Sequence, residues 1–450
     1  MNQILKGISG VVLSILIVVL GFLVYGNYQQ HKLREQEEIL KQQEETQVIP
    51  QKNEEEEAKE PEEVIEEPKA PIDVKLAACG DLVIHTGLHA DAEKEDGSYD
   101  YFDILSGSYN AVSNADFAFC TMETTFSPNG EISGYPMFKT PWDFAKSLKK
   151  IGFDLINTAN NHSLDSLKAG LDNTLNVLDE VGLEHVGTYR TQEERDAQNG
   201  IVVKDINGIS FAILSFTYGT NGMPATDYPY AVNIFFKDYL NNNMSNINYE
   251  LLKEDMAAAR ALNTDMILVI PHWGYEYQTK QDKYQEELAD FFFAEGADIV
   301  IGGHPHVPQP MELRLVTDNQ GNEKTCLLAY CLGNYLSTMN DRYTDLHVSL
   351  NIDVQKDTQT GETYLNHVSY TPMYMADLGD FGISNSWRYR LLDLYAAKEA
   401  YEGGDNLGFI NESLYNDLCK ALDDTHSILD ESFDYKNGGV DVIEWSAQAK

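Results

Sequence analysis

Basic side chains are the first shortage. The chain's 450 residues hold 32 lysines and arginines against 72 aspartates and glutamates, for a formal net charge of -40, and only eight of the 32 are arginines. Nucleic-acid binding, which wants a basic face, is disfavoured, and no nucleic-acid partner is expected. Cysteine is the second. Cys79, Cys120, Cys326, Cys331 and Cys419 are irregularly spaced, so neither a disulfide framework nor a CxxC zinc knuckle can be read, and one incidental pair stays open. Apolar material is not short: 26 Tyr, 18 Phe and many Val/Ile runs are enough for a large core, which excludes a wholly disordered polyelectrolyte.

A single long charge-free run occurs, residues 7–26. At about 1.5 Å rise per residue it matches the ~30 Å hydrocarbon core of a bilayer. No small-x-small site follows it, where Tyr25-Gly26-Asn27-Tyr28 stands instead, so residues 1–26 are expected to be a short cytoplasmic tail and an uncleaved signal anchor, with a cleaved signal as the alternative. Lys32 and Arg34 follow the run and only Lys6 precedes it, but the short tail and the acidic body behind it put the body outside the cytoplasm. Residues 27–73, rich in Glu, Gln, Lys and Pro, cannot bury enough apolar surface to fold alone and are expected to be an acidic stalk. The charge is not confined to it, for residues 71–450 still carry -33. Such a body suits an extracellular surface or carboxylates that hold cations.

From residue 74 onward, short apolar runs alternate with amphipathic stretches. Runs 74–79, 115–120, 153–158, 266–270 and 298–301 read as buried strands. Thr140-Pro141 reads as the N-cap and first residue of a helix, and residues 164–181, 249–262 and 282–295 have helical spacing. Asn207-Gly208 between 201–206 and 209–216 signals a hairpin, and 311–316 with 325–332, and 346–354 with 363–370, read as further strand pairs. The sum is an α/β fold with added antiparallel strands.

Each buried run empties into residues of metal-ligand type. Asp81 follows the first, Glu123 the second, Asn160-Asn161-His162 the third, His272 the fourth and Gly302-Gly303-His304-Pro305-His306 the last. Singly, Gly80-Asp81 and Asn160-Asn161 read as turns, Glu123 as a cap or surface carboxylate and His272 as a core histidine, whereas two imidazoles one residue apart on a glycine-rich turn, His304 and His306, already favour a metal. Jointly they point to one centre, because sites in α/β sheets collect at the carboxyl ends of strands.

This set of motifs, with Met122-Glu123-Thr124, Pro271-His272-Trp273-Gly274-Tyr275-Glu276-Tyr277 and Leu332-Gly333-Asn334-Tyr335, resembles the calcineurin-like metallophosphoesterase superfamily and, more closely, its CapA branch of poly-γ-glutamate capsule synthesis. The resemblance implies a four-layer α/β/β/α sandwich over residues 74–375, with 376–450 left as a helical extension. It implies one or two divalent transition ions (Mn, Fe or Zn): Asp81 and His306 on one, Asn161, His272 and His304 on the other, Glu123 bridging. His162 would be the proton donor to the leaving group and Asp165 its orienting partner, with Asn160 and Glu276 supporting the ligands. The superfamily opens with Asp-x-His, whereas here the nearest histidine after Asp81 is His85, so the remaining ligand of the first ion is His85 or water, or the site is mononuclear. Glu123 stands where the superfamily has Asp.

Two functions follow. One is a membrane-anchored metallohydrolase acting outside the cell on a phosphoester, or on a γ-glutamyl or related bond of an envelope polymer. The other is a non-catalytic assembly or export component whose span joins other membrane proteins of a polymer-synthesis complex. The body's negative charge opposes a polyanionic substrate unless cations or a local basic patch reverse the field.

Overall fold

The computed structural model describes residues 70–449 apart from 198, 242–243 and 385–386. The expected membrane segment and nearly all of the expected stalk fall outside the described residues. No described helix is long and apolar enough to cross a membrane.

In chain order the first strands are Ile72–Leu82 (β1), Phe117–Met122 (β2), Leu155–Asn157 (β3), Glu184–Val186 (β4), Val202–Ile206 (β5), Ile209–Thr217 (β6), Met266–His272 (β7) and Ile299–Ile301 (β8). They continue with Pro308–Thr317 (β9), Glu323–Leu332 (β10), Asn334–Leu336 (β11), Leu346–Lys356 (β12), Thr363–Asp377 (β13), Tyr389–Asp393 (β14) and Val440–Asp441 (β15). One sheet has the order β14-β13-β12-β1-β2-β3-β4, with β11 on β1 and β15 on β13; the other has the order β5-β6-β7-β8-β10-β9. Strands β1 to β4 pair in parallel, as do β6, β7, β8 and β10. The expected hairpins are present as antiparallel pairs β5·β6, β9·β10 and β12·β13.

Alternation along each strand sets the layers. Val74, Leu76 and Ala78 of β1 share one core with Phe211 and Ile213 of β6, Leu268 and Ile270 of β7, and Val348, Leu350 and Ile352 of β12. The intervening Ala77 and Cys79 turn to the opposite face and pack with Phe144 and Leu148 of helix Asp143–Ile151 and Leu178 of helix Leu167–Val181. On the second sheet, Ala212, Leu214, Val269 and Val300 face Leu252 and Met256 of helix Tyr249–Ala261 and Phe292 of helix Lys283–Ala294. The mixed α/β architecture expected from the sequence is therefore present, with two sheets sharing a core and helices on their outer faces.

Two helix starts differ from expectation. Helix Asp143–Ile151 begins after Trp142 rather than at Pro141, because the Thr140 hydroxyl is 2.7 Å from that of Thr124 and caps nothing. Helix Leu167–Val181 begins three residues later than its periodicity suggests, because Asn160 to Ser166 form turns: Asn160 Oδ1 accepts from His162 N, and Ser163 Oγ accepts from Asn160 N. Residues 376–450 contain helices Leu394–Glu402, Glu412–Ile428 and Val442–Ala449, and also β14 and β15, which pair with β13. They belong to the same compact unit as the rest of residues 68–450.

Candidate metal centre

The parallel strands of the two sheets bring their carboxyl ends to one place, and three local devices aim side chains into it. The first is an irregularity in β1 between Ala78 and Asp81, where Asp81 N donates to Gly333 O at 3.0 Å. A Cβ on Gly80 would lie 1.8 Å from Gly333 O, so only glycine lets β1 and β11 approach this closely. The second is the glycine pair after β8. A Cβ on Gly302 would meet Trp273 Nε1 and Tyr330 O at 2.2 Å, and one on Gly303 would meet Asp81 Oδ1 at 2.5 Å. The third is backbone held in the left-handed region at His304 (φ 98°) and His306 (φ 62°), a conformation that costs a residue with a Cβ about 1–3 kcal/mol. Here it is held by His304 N donating to Asp81 Oδ2 (2.8 Å) and by Tyr277 N donating to Pro305 O (2.8 Å).

The side chains so placed form overlapping triplets of candidate ligands. Glu123 with His272 and His304, Asp81 with Glu123 and His306, and Glu276 with His304 and His306 each bring ligand atoms within 4.8 Å of one another. Glu123 Oε2 is 3.6 Å from His272 Nε2, and its Oε1 is 3.8 Å from His306 Nδ1, so one buried carboxylate spans two imidazoles. Asn161 Oδ1 is 2.8 Å from the same His272 Nε2. Asn334 Nδ2 donates to Thr344 O, which turns its Oδ1 toward His306 Nδ1 at 2.9 Å; that contact takes the Nδ1 proton and frees the Nε2 lone pair.

Hydrogen bonding does not satisfy this cluster. Asp81 Oδ1, both Glu123 oxygens, and Nδ1 of His272 and of His304 are buried without partners. Burial, then the neighbouring Glu123 charge, holds the Asp81 carboxyl well above the usual range. Burial pushes Glu123 up to about 8, partly offset by His162. Burial takes His272 down to about 4 and His306 to about 3, and holds His304 well below its ordinary value, the neighbouring imidazoles adding to the effect in His304 and His306. Buried carboxylate and imidazole donors without hydrogen-bond partners, mixed in one cluster, suit a divalent transition ion. The residues present therefore fit a divalent metal.

Beside the cluster, His162 Nδ1 lies 2.8 Å from Asp165 Oδ2. Burial alone would lower His162, but the hydrogen bond and charge of Asp165, with Glu123 and Glu276, raise it above its ordinary value. Asn160 shapes the turn that carries it, its Nδ2 donating to Met122 O (2.8 Å). Glu276, expected to support His272, reaches His304 and His306 instead, at the exposed edge of the cluster. His85 belongs to none of the triplets; its Nδ1 lies 3.1 Å from Val83 O and 3.4 Å from Thr338 N, and its ring packs edge-on to Phe138.

Sequence reasoning missed three contributors, Tyr218, Phe138 and Asn221, and had Asn334 only as part of a motif. Tyr218 packs on His304 with ring centroids 4.5 Å apart, and Phe138 sets its ring 4.7 Å from that of His162. Asn221 Oδ1 accepts from Asn161, and its Nδ2 lies 3.3 Å from His162 Nε2. Asn334 orients His306. Tyr218 follows the apolar run of β6, so the rule that found the candidate ligands would have pointed to it too.

The fold and its cluster define an α/β protein with a buried carboxylate and imidazole centre suited to a divalent cation. The chain belongs to the family described as bacterial capsule synthesis protein PGA_cap, whose model matches residues 75–339. Its relatives include the capsule biosynthesis protein CapA of Bacillus anthracis, 30% identical over 196 residues, 42% of each chain. The PGA biosynthesis protein CapA of Bacillus subtilis (strain 168) is 28% identical over 204 residues, 44% of this chain and 46% of that one. The matched stretches thus span less than half the length of these relatives. Among solved structures, a phosphatase from Mycoplasma pneumoniae is 12% identical with a TM-score of 0.38, the match covering 67% of this chain and 94% of that one.

Proposed function

We propose that this chain is a CapA-type protein of capsule or cell-envelope polymer biosynthesis, anchored through residues 7–26 with its body outside the membrane, and that its buried cluster is a metallohydrolase centre. The substrate bond is a phosphoester, or a γ-glutamyl or related bond of an envelope polymer. One observation carries the reading: Asp81, Glu123, His272 and His304, which hold buried atoms without hydrogen-bond partners, fall in overlapping triplets of candidate ligands beside a histidine held by its own carboxylate.

Asp81 and His306 would hold one ion, Asn161, His272 and His304 a second, with Glu123 between them. Such ions supply Lewis-acid polarisation of a phosphoryl or carbonyl oxygen. His162, raised above its ordinary pKa, keeps a proton for the leaving atom, and Asp165 fixes its tautomer through Nδ1 so that Nε2 faces the substrate.

A second reading, a non-catalytic assembly or export component working with other membrane proteins, is favoured by one observation. His85 falls in none of the candidate-ligand triplets, which leaves the first ion short of a protein ligand. Elemental analysis of the purified full chain, with a screen of phosphoesters and γ-glutamyl peptides, separates the two. Metal with turnover that His162→Ala abolishes supports the hydrolase; metal without turnover of any tested bond supports the assembly role. Protease added to intact cells tests the topology, since it should remove the body and leave the N-terminus protected.

A further inference from the structure

The two ions are unequally provided for. Asn161, His272 and His304 with Glu123 serve the second, whereas Asp81, His306 and Glu123 leave the first one donor short. His85, the nearest histidine after Asp81, falls in none of the triplets, but Glu276 does: one of its carboxylate oxygens lies within 4.8 Å of ligand atoms of both His304 and His306. It is the exposed member of those triplets, and the two imidazoles it reaches are buried.

The backbone that carries Glu276 is tied to the backbone that carries those imidazoles. Gly303 N donates to Pro271 O (3.0 Å), Trp273 N to Gly303 O (3.1 Å) and Tyr277 N to Pro305 O (2.8 Å). Tyr277 takes up the left-handed region (φ 64°) in this arrangement, a strained conformation for a residue with a Cβ. Two buried amides hold the residues just beyond it. Gln285 Nε2 donates to Gln309 Oε1 (2.8 Å), and Gln309 Nε2 donates to Gln278 O (2.8 Å) and Lys280 O (3.1 Å). Glu276 is therefore an exposed side chain on a fixed segment. Among the described residues no lysine or arginine pairs with it.

We infer that Glu276 is the missing protein ligand of the first ion. That ion then has three carboxylates and one imidazole (Asp81, Glu123, Glu276 and His306), against two imidazoles, an amide oxygen and the shared Glu123 on the second. Carboxylate oxygens suit Mn(II), whereas imidazoles suit Zn(II) or Fe(II), so the centre holds two different ions. This rests on the two-ion reading of the cluster, and it removes the shortage of ligands that favours a non-catalytic role.

The test strips the full chain of metal with a chelator, adds Mn(II) and Zn(II) together, removes unbound ions by dialysis, and reads metal content per chain and the electron paramagnetic resonance of Mn(II). The parent is expected to keep about one ion of each kind. Glu276→Gln should weaken Mn(II) by at least about tenfold and leave Zn(II) in place. Glu276→His offers a nitrogen donor from the same position and should bring the lost equivalent back as Zn(II), a rescue that a residue merely supporting other ligands would not give. Tyr275→Ala, on the exposed neighbour, should change neither ion. Glu276→Gln that holds both ions as tightly as the parent overturns the ligand assignment alone, and two equivalents of Zn(II) on the parent overturn the pairing of unlike ions. A parent chain that takes up no metal overturns the centre itself.

Discussion

Nδ1 of His162 lies 2.8 Å from Oδ2 of Asp165, and that same oxygen accepts the backbone N–H of Phe138 at 2.5 Å. One carboxylate thus fixes both the imidazole and the aromatic ring that packs against it. If His162 donates the proton, His162→Ala should lower turnover by about 10²–10⁴-fold while leaving metal content intact. Asp165→Asn should cost less, about 10–100-fold, and should change the tautomer of His162 in the ring nitrogen NMR spectrum. Unchanged turnover in His162→Ala would remove the acid role and favour the assembly reading.

The ligands should behave differently from the acid. His272→Ala and His304→Ala each remove a donor from the triplets and should lower bound metal, and turnover with it. Glu123→Gln keeps the size of the side chain but removes the charge facing two imidazoles, so metal affinity should fall by at least tenfold. Chelation should lower the melting temperature of the parent chain and have little effect on Glu123→Gln. Equal metal content in all of these variants would mean that the cluster is not the metal site.

The strands were legible because parallel strands buried on both faces are continuous apolar runs, and five such runs lie where β1, β2, β3, β7 and β8 are found. The clustered ligands were legible for the same reason, since each follows one of those runs. Asn334 was not legible in its role: Gly333-Asn334 reads as a turn, and its contact with His306 exists only because β11 pairs with β1, Asp81 opposite Asn334. The start of helix Asp143–Ile151 was misplaced because Thr140 has capping chemistry but spends its hydroxyl on Thr124, a long-range contact that no local pattern encodes.

Two glycine substitutions should separate fold from site. In Gly80→Ala the new methyl meets the Gly333 carbonyl, backbone against backbone, and neither strand can yield without breaking the β1·β11 pairing. A loss of about 3 kcal/mol or more in chemical unfolding is expected, or failure to fold. In Gly303→Ala the methyl meets the Asp81 side chain, which can rotate away at the cost of its hydrogen bond to His304 N. Metal content should fall while stability changes less than in Gly80→Ala. The reverse ranking would mean that the approach of β1 to β11 is not what requires glycine.

His347 supplies a pH dependence independent of the ligands. It is fully buried, neither ring nitrogen has a partner, and burial pushes its pKa down to about 3 from an ordinary 6.5. Between those values the unfolded chain binds a proton at this position and the folded chain does not. The contribution of His347 to stability is therefore whole above pH 6.5 and is lost as the pH falls toward 3. His347→Leu has nothing to protonate and no unpaired nitrogens to bury, so it should be at least as stable as the parent at pH 7.5. Urea unfolding of the chelated proteins at pH 7.5 and 4.5 should show the parent losing more than the variant, by roughly 2 kcal/mol. Equal losses in the two proteins would show that the His347 site takes up its proton without unfolding, and that its surroundings are less closed than the packing against Tyr335 implies.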